Sequence, residues 1–319
     1  INLLPEYKAE SFIDYNTFIN GATQYNFTNL DDTNAPKLKL LIDNSYPLSS
    51  FLRCVRKMLN LPETDSVLLF PIEGRKGVPS KRPINFGQKS TIQQIIYYKS
   101  LFFKIIANTS QEELEKKVSF QITVVNENLE VIESPILLMP SKFQVDDVIG
   151  KVKEINIVAQ DKPVRFLQLV GSRIIKIMDQ DTELTHQVDY QYRIEVIPED
   201  QVDCPEDHLV RVTLSTDLSV PITGCVGTPF IFRIEDNEKF SQTKERLSQI
   251  IKESPSKLSF AYTNNYIQMK EFKMLKDDDI LSQLLQGSQT MIYAFIPVDH
   301  RRTTRNKPFS WNSGVSIYN

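Results

Sequence analysis

The chain has 319 residues, 41% of them hydrophobic and 24% charged, with a formal net charge of -3. That near-balance excludes both the basic profile of a nucleic-acid binder and the polar excess of a disordered tail. No apolar run approaches the roughly 18 residues that a membrane-spanning helix needs. The first residues, Ile1-Asn2-Leu3-Leu4-Pro5, carry neither a starting Met nor a signal peptide, and are read as a cut from a longer protein.

In chain order, a leader gives way to weak alternation over residues 11–27, which predicts a short helix and a first strand. A strand over 37–42 follows. A helix over 49–61 then carries Phe51, Leu52, Val55 and Leu59 on one face and stops at Pro62. Next come a strand over 67–70, a basic loop over 74–83 with Arg75, Lys76, Lys81 and Arg82, a helical turn over 91–98 and a strand over 101–107. Residues 111–117 form a charged connector with helical potential. A hairpin is predicted from 118–125 and 129–139 around Asn126-Glu127-Asn128. Ser141-Lys142-Phe143-Gln144 has the spacing of a capping box for a helix over 143–155 with Phe143, Val148, Val152 and Ile155 as its stripe. Strands over 164–170 and 173–178 flank a Gly171-Ser172 turn. A helical turn over 182–188 and a strand over 190–197 follow.

The third stretch is the clearest. After a connector at 198–205 and a strand over 209–215 with a long hairpin loop at 216–227, Phe230, Phe232 and Ile234 alternate along a strand. The chain then turns into a helix with Phe240, Thr243, Leu247, Ile250 and Ile251 on one face, stopped by Pro255. Strands over 258–262 and 266–269 come next. Asp277-Asp278-Asp279 is predicted to cap a short helix reaching Leu285, and a strand over 290–296 closes the stretch. A strand feeding an amphipathic helix with further strands behind it is half of a β-grasp unit. The pattern recurs with marker phenylalanines Phe51, Phe143 and Phe240. Their spacing, roughly 90 to 100 residues, is too long for a stacked solenoid and indicates a string of small α+β domains.

Candidate chemistry is sparse. Cys54, Cys204 and Cys225 are odd in number and scattered, which fits a reducing compartment; Cys54 reads as a small helix residue beside Arg53 and Arg56, and Cys204 and Cys225 fall in a connector and a long hairpin. His186, His208 and His300 show no metal-ligand spacing, and no cofactor motif is present. Asp146-Asp147 and Asp277-Asp278-Asp279 suit first helical turns, where negative charge meets the macrodipole. The basic loop Arg75/Lys76/Lys81/Arg82 reads as solvated, or as a contact for an acidic partner. In the tail, Trp311 precedes Val315 and Ile317, whose side chains would share one face of an extended strand. Such a terminus either frays or docks as a peptide into a groove.

Four blocks together resemble one family: Tyr192-Arg193-Ile194-Glu195-Val196-Ile197-Pro198-Glu199-Asp200-Gln201-Val202-Asp203, Pro229-Phe230-Ile231-Phe232-Arg233-Ile234, Val298-Asp299-His300, and the terminal Gly314-Val315-Ser316-Ile317-Tyr318-Asn319. The chain is similar, from about Leu101 onward, to the C-terminal ubiquitin-like array of the herpesvirus-associated ubiquitin-specific proteases (HAUSP) and their fungal counterparts. The resemblance implies three tandem ubiquitin-like β-grasp domains at 1–107, 108–203 and 204–298, matching the third to fifth of the family array, with a tail at 299–319. It implies a non-catalytic region of a thiol-dependent deubiquitinase of cytoplasm and nucleus. The family's catalytic cysteine and histidine boxes are absent here, and no cofactor, metal, membrane or nucleic acid is expected. The implied partners are the enzyme's own catalytic domain, ubiquitinated substrates through the parent enzyme, and other proteins. Activation is expected to run through the tail, by Val315, Ile317, Tyr318, Asn319 and Trp311. The alternatives are a passive scaffold with an inert tail, and a catalytic module.

Overall fold

The computed structural model describes residues 22–32, 34, 36–43, 48–73, 78–80, 83–84, 100–184, 190–217, 224–264, 272–285, 290–296 and 317–318. The chain is mixed α+β. β1 (Ala22–Asn29) and β2 (Leu38–Asp43) pair antiparallel, with Phe27 opposite Leu38. Helix α1 (Leu48–Met58) buries Phe51, Leu52 and Val55, and the Phe51 ring lies 5.4 Å from that of Phe27. β3 (Ser66–Glu73), β4 (Val78–Pro79) and β5 (Ser100–Ile106) complete a sheet of order β2-β1-β5-β3-β4, in which β1 runs parallel to β5.

Helix α2 (Gln111–Glu115) begins in a capping box: Ser110 Oγ accepts from Glu113 N at 3.3 Å, and Glu113 Oε2 accepts from Ser110 N at 3.0 Å. β6 (Lys117–Gln121), β7 (Thr123–Val125), β8 (Val131–Glu133) and β9 (Ile136–Pro140) form a hairpin that breaks in the middle. β10 (Phe143–Gln144), α3 (Val145–Glu154), β11 (Val164–Val170), β12 (Arg173–Met178), β13 (Glu183–Leu184) and β14 (Gln191–Val196) follow. β7 and β8 stay in a five-stranded sheet, order β12-β11-β14-β7-β8, while β6 and β9 peel into a ladder of their own.

β15 (Leu209–Ser215), β16 (Cys225–Arg233), α4 (Phe240–Ile251), β17 (Ser259–Thr263), β18 (Lys273–Met274), α5 (Leu281–Leu284) and β19 (Met291–Phe295) build a third five-stranded sheet, order β16-β15-β19-β17-β18. The three sheets share one plan. A central first strand (β1, β7, β15) runs parallel to the last (β5, β14, β19), and the other pairings in each are antiparallel. The long helix between second and third strands covers one face. Each has its own apolar cluster, centred on Phe51, on Phe143 and on Phe240.

The helices also stop alike. Asn60, Asn156 and Lys252 take left-handed φ values of 50°, 59° and 61°. The next amide in each case, Leu61, Ile157 or Glu253, reaches back to the carbonyl of Arg56, Val152 or Ser248 at 3.2 Å. This is the Schellman closure, and it shuts α1 and α4 before the prolines that the sequence pattern took for their stops, Pro62 and Pro255.

Several local expectations are corrected. Residues 182–184 do not begin a helical turn, because Glu183–Leu184 pairs with Phe143–Gln144 as a short antiparallel ladder. Phe143 is therefore a strand residue, and α3 starts at Val145 with Gln144 N donating to Asp147 Oδ2 at 2.7 Å rather than with a box from Ser141. Strand β16 begins at Cys225, inside the predicted loop. Asp277-Asp278-Asp279 does not sit in the first turn of α5. Its backbone carbonyls instead close the start of α4, Asp279 O accepting from Phe240 N at 2.7 Å and Asp277 O from Ser241 N at 3.0 Å. The predicted elements at 91–98 and 266–269 lie outside the described residues.

Candidate functional site

The run Ile136-Leu137-Leu138-Met139 is apolar without alternation, the pattern of a strand covered on both faces. β9 is such a strand. Leu137 and Met139 point into the cluster of the second sheet. Ile136 and Leu138 point the other way, into a cluster with Leu68, Phe70 and Ile106 of the first sheet and Leu114 of α2. The connector is fixed to the same place: Gln111 Oε1 accepts from Val67 N at 3.3 Å, and Asp65 Oδ1 accepts from Asn108 N at 3.1 Å.

One edge of β9 is taken by β6, with Phe120 opposite Leu137. On the other lies β20 (Ile317–Tyr318), parallel, with Ile317 opposite Ile136 and Tyr318 opposite Leu137. The C-terminal strand thus adds to a sheet of this same chain. Of the tail residues singled out in the sequence, Ile317 and Tyr318 are in that ladder. Trp311, Val315 and Asn319 lie outside the described residues, as do Arg75, Lys76, Lys81 and Arg82 of the basic loop.

The second and third sheets meet around buried charge. Glu195 is 1% exposed and accepts from Arg165 Nε at 2.9 Å and from an Arg193 guanidinium nitrogen at 3.3 Å. Arg165 also donates to Gln201 Oε1 at 2.6 Å, and Arg193 donates to the Pro229 carbonyl at 2.6 Å. Burial pulls the Arg193 guanidinium below its ordinary value, and Glu195 opposes that pull. Leu167, Leu169 and Ile174 pack on Ile231 beside this group, and Leu129 reaches the third cluster from the β7–β8 turn. A cavity of about 310 Å³ lies there between the β7–β8 turn and the end of α4, with Arg165, Glu195 and Gln201 in its wall. Neither the β9 contact nor the Arg165–Glu195–Arg193 group was foreseen. The signal for the first was the unbroken apolar run between Pro135 and Pro140; for the second it was charged residues inside strands.

The three cysteines are free. Burial pushes the thiols of Cys54, Cys204 and Cys225 up, more strongly than the neighbouring cations pull them down. That is the direction of a structural thiol rather than of an activated nucleophile. Among the described residues, no group of three or more His, Cys, Asp or Glu is placed to hold a metal ion, and no helix is long and apolar enough to cross a membrane.

His208 lies between two carboxylates, with Nδ1 3.1 Å from Asp207 and Nε2 3.2 Å from Asp236. Hydrogen bonds to Asp207 and then to Asp236 hold its pKa above the ordinary histidine value. A raised folded pKa means that the stabilisation is fully present below the unfolded value, about 6.5, and is lost as pH rises through the folded one. His208→Asn is therefore expected to lower Tm at about pH 5.5 and to approach the unaltered chain at about pH 9. Thermal unfolding at both pH values checks this.

Taken together, these features define a mixed α+β chain of like-ordered sheets joined through buried contacts, with its C-terminal strand returned to one sheet edge. A family profile described as ubiquitin-specific protease C-terminal matches residues 95–305, and the chain belongs to that family. The chain is also similar to the solution structure of the C-terminal ubiquitin-like domain of mouse tubulin-specific chaperone e, at 14% identity over 28% of this chain and 84% of that one, with a TM-score of 0.20. At that score the fold rests on the strand order described above.

Proposed function

We propose that this chain is a regulatory region of a deubiquitinase, built of three ubiquitin-like β-grasp domains, that activates its catalytic domain in cis through residues 308–319 and presents surfaces to partner proteins in cytoplasm and nucleus. The observation that carries the reading is membership of the ubiquitin-specific protease C-terminal family across residues 95–305. The shared plan of the three sheets supports the β-grasp assignment.

The energetics are compatible. Burying one Val and one Ile is worth roughly 3 to 6 kcal/mol gross, while ordering a flexible tail costs about 1 to 2 kcal/mol per residue. A free peptide would bind weakly. Tethering supplies an effective concentration of about millimolar, enough to use a weak site. Deleting residues 308–319 from the full-length enzyme is expected to lower kcat/KM on a ubiquitin-fluorophore substrate by about tenfold, for a bias of about 1.4 kcal/mol toward the active state. Unchanged kcat/KM would remove the activator role. One observation favours the second reading, a scaffold with an inert tail: the C-terminal strand pairs within this chain. Pull-down of the catalytic domain separates the two, because Val315→Asp with Ile317→Asp reduces capture only if the tail engages that domain.

A further inference from the structure

Strand β9 offers its outer edge in a defined way. Ile122 N donates to the Pro135 carbonyl at 3.2 Å, and Gln121 stands opposite Ile136. In an antiparallel ladder the backbone groups alternate sides. Those of Leu137 and Met139 therefore serve β6, and those of Ile136 and Leu138 are directed to the opposite edge. Pro140, next in phase with Ile136 and Leu138 on the outer edge, has no N–H to offer. The ladder is therefore cut short at that end. In the observed parallel register, Tyr318 N–H meets the Ile136 carbonyl, and Leu138 N–H meets the Tyr318 carbonyl.

The side chains of β9 are already committed to the two clusters on its faces. An incoming strand is thus recognised through its backbone, with little demand on its sequence. The occupant must then be selected by proximity. Residues 297–316 separate Ile296 from Ile317. Fully extended, such a stretch spans up to about 70 Å, so the chain's own terminus is within reach at an effective concentration of about millimolar.

We propose that the outer edge of β9 is a strand-addition site whose occupant is this chain's own C-terminal segment, and that it stores the tail. The storage consequence rests on the activator reading above, because Ile317 cannot lie in the β9 ladder and anchor in a second groove at once. The apparent affinity of the tail for any other site is then reduced by the fraction of molecules in which β20 is unpaired.

The test is amide exchange on the 319-residue chain and on a version ending at residue 313. Truncation is expected to accelerate exchange at Leu138, whose N–H faces the tail, by about tenfold for a strand that is docked nine-tenths of the time. Leu137, whose N–H faces β6, should be unchanged. Tyr318→Pro, which lacks the N–H given to Ile136, should reproduce the truncation. Equal Leu138 exchange with and without the tail overturns the site. Protection that grows with protein concentration shows that a second copy supplies the strand, and overturns the cis occupant. In the full-length enzyme, Leu138 should exchange at the truncated rate when the tail is engaged by the catalytic domain; slow exchange at full tail-dependent activity overturns the storage. The readouts on the 319-residue chain and its truncated version are independent of turnover, so an inert tail in the activity assay sinks the activator reading and leaves the strand-addition site standing.

Discussion

Replacing Glu195 with alanine is expected to destabilise the chain by about 3–5 kcal/mol, among the largest effects of any single substitution in it. Glu195 stands between Arg165 and Arg193 in a region where all three are buried. Its removal leaves two guanidinium groups facing each other without a counter-ion. Gln201 and the Pro229 carbonyl would still hold one nitrogen of each, but neither carries charge to offset the repulsion. The loss should therefore be greater than that of a neutral hydrogen bond, about 0.5–1.5 kcal/mol. Chemical denaturation gives the measurement. Removing all three charges together (Arg165→Met, Arg193→Met, Glu195→Leu) should cost less than Glu195→Ala alone, because no stranded ion remains. A single-site loss below about 1 kcal/mol would mean that water reaches the group and that the second and third sheets are less tightly joined.

The second large effect lies at β9. Leu138→Ala is expected to cost about 2–5 kcal/mol, the range for a leucine removed from a packed cluster. Leu138→Asp should cost more, since it would place a carboxylate in a cluster of aliphatic and aromatic side chains. The side chain faces the first sheet, whereas Leu137 beside it faces the second. Loss at Leu138 should thus free the first sheet from the second and split one unfolding transition into two. Leu137→Ala should lower stability without that split. Calorimetry of both variants is the check, and a single unbroken transition in Leu138→Asp would show that the first sheet is held by something other than this cluster.

How much of this was legible depends on what each residue reports. β11 and β12 were read to their observed limits, because a Gly171-Ser172 turn between two apolar-rich runs is a local signal. The apolar stripes of α1, α3 and α4 were mostly legible in the same way, as Phe51, Val148 and Leu247 are all in cores, but Ile250, placed on the α4 stripe, is 40% exposed. The errors came where a distant partner decides. Glu183–Leu184 is a strand only because Phe143–Gln144 is there to pair with it. The Asp277-Asp278-Asp279 run looks like a cap for the helix that follows, yet its carbonyls serve the start of a helix far upstream. The box was placed at Ser141 to Gln144, but pairing of β10 with β13 moves the helix start to Val145, where Asp147 accepts from the Gln144 amide. The tail was marked as an extended segment from Val315 and Ile317, but its position on β9 depends on backbone groups that no side chain advertises.

The cluster around Ile136 and Leu138 has a practical consequence for dissecting this chain. Each partner contributes aliphatic and aromatic groups that exist as surface only when the other is removed. A cut between residues 106 and 111, the obvious place on the sequence, would give two fragments with a greasy wound apiece and deprive one of the anchor that Gln111 and Asn108 provide. The first and second sheets are therefore to be expressed together, and a protease that clips the connector should leave its products still clasped until denaturant parts them.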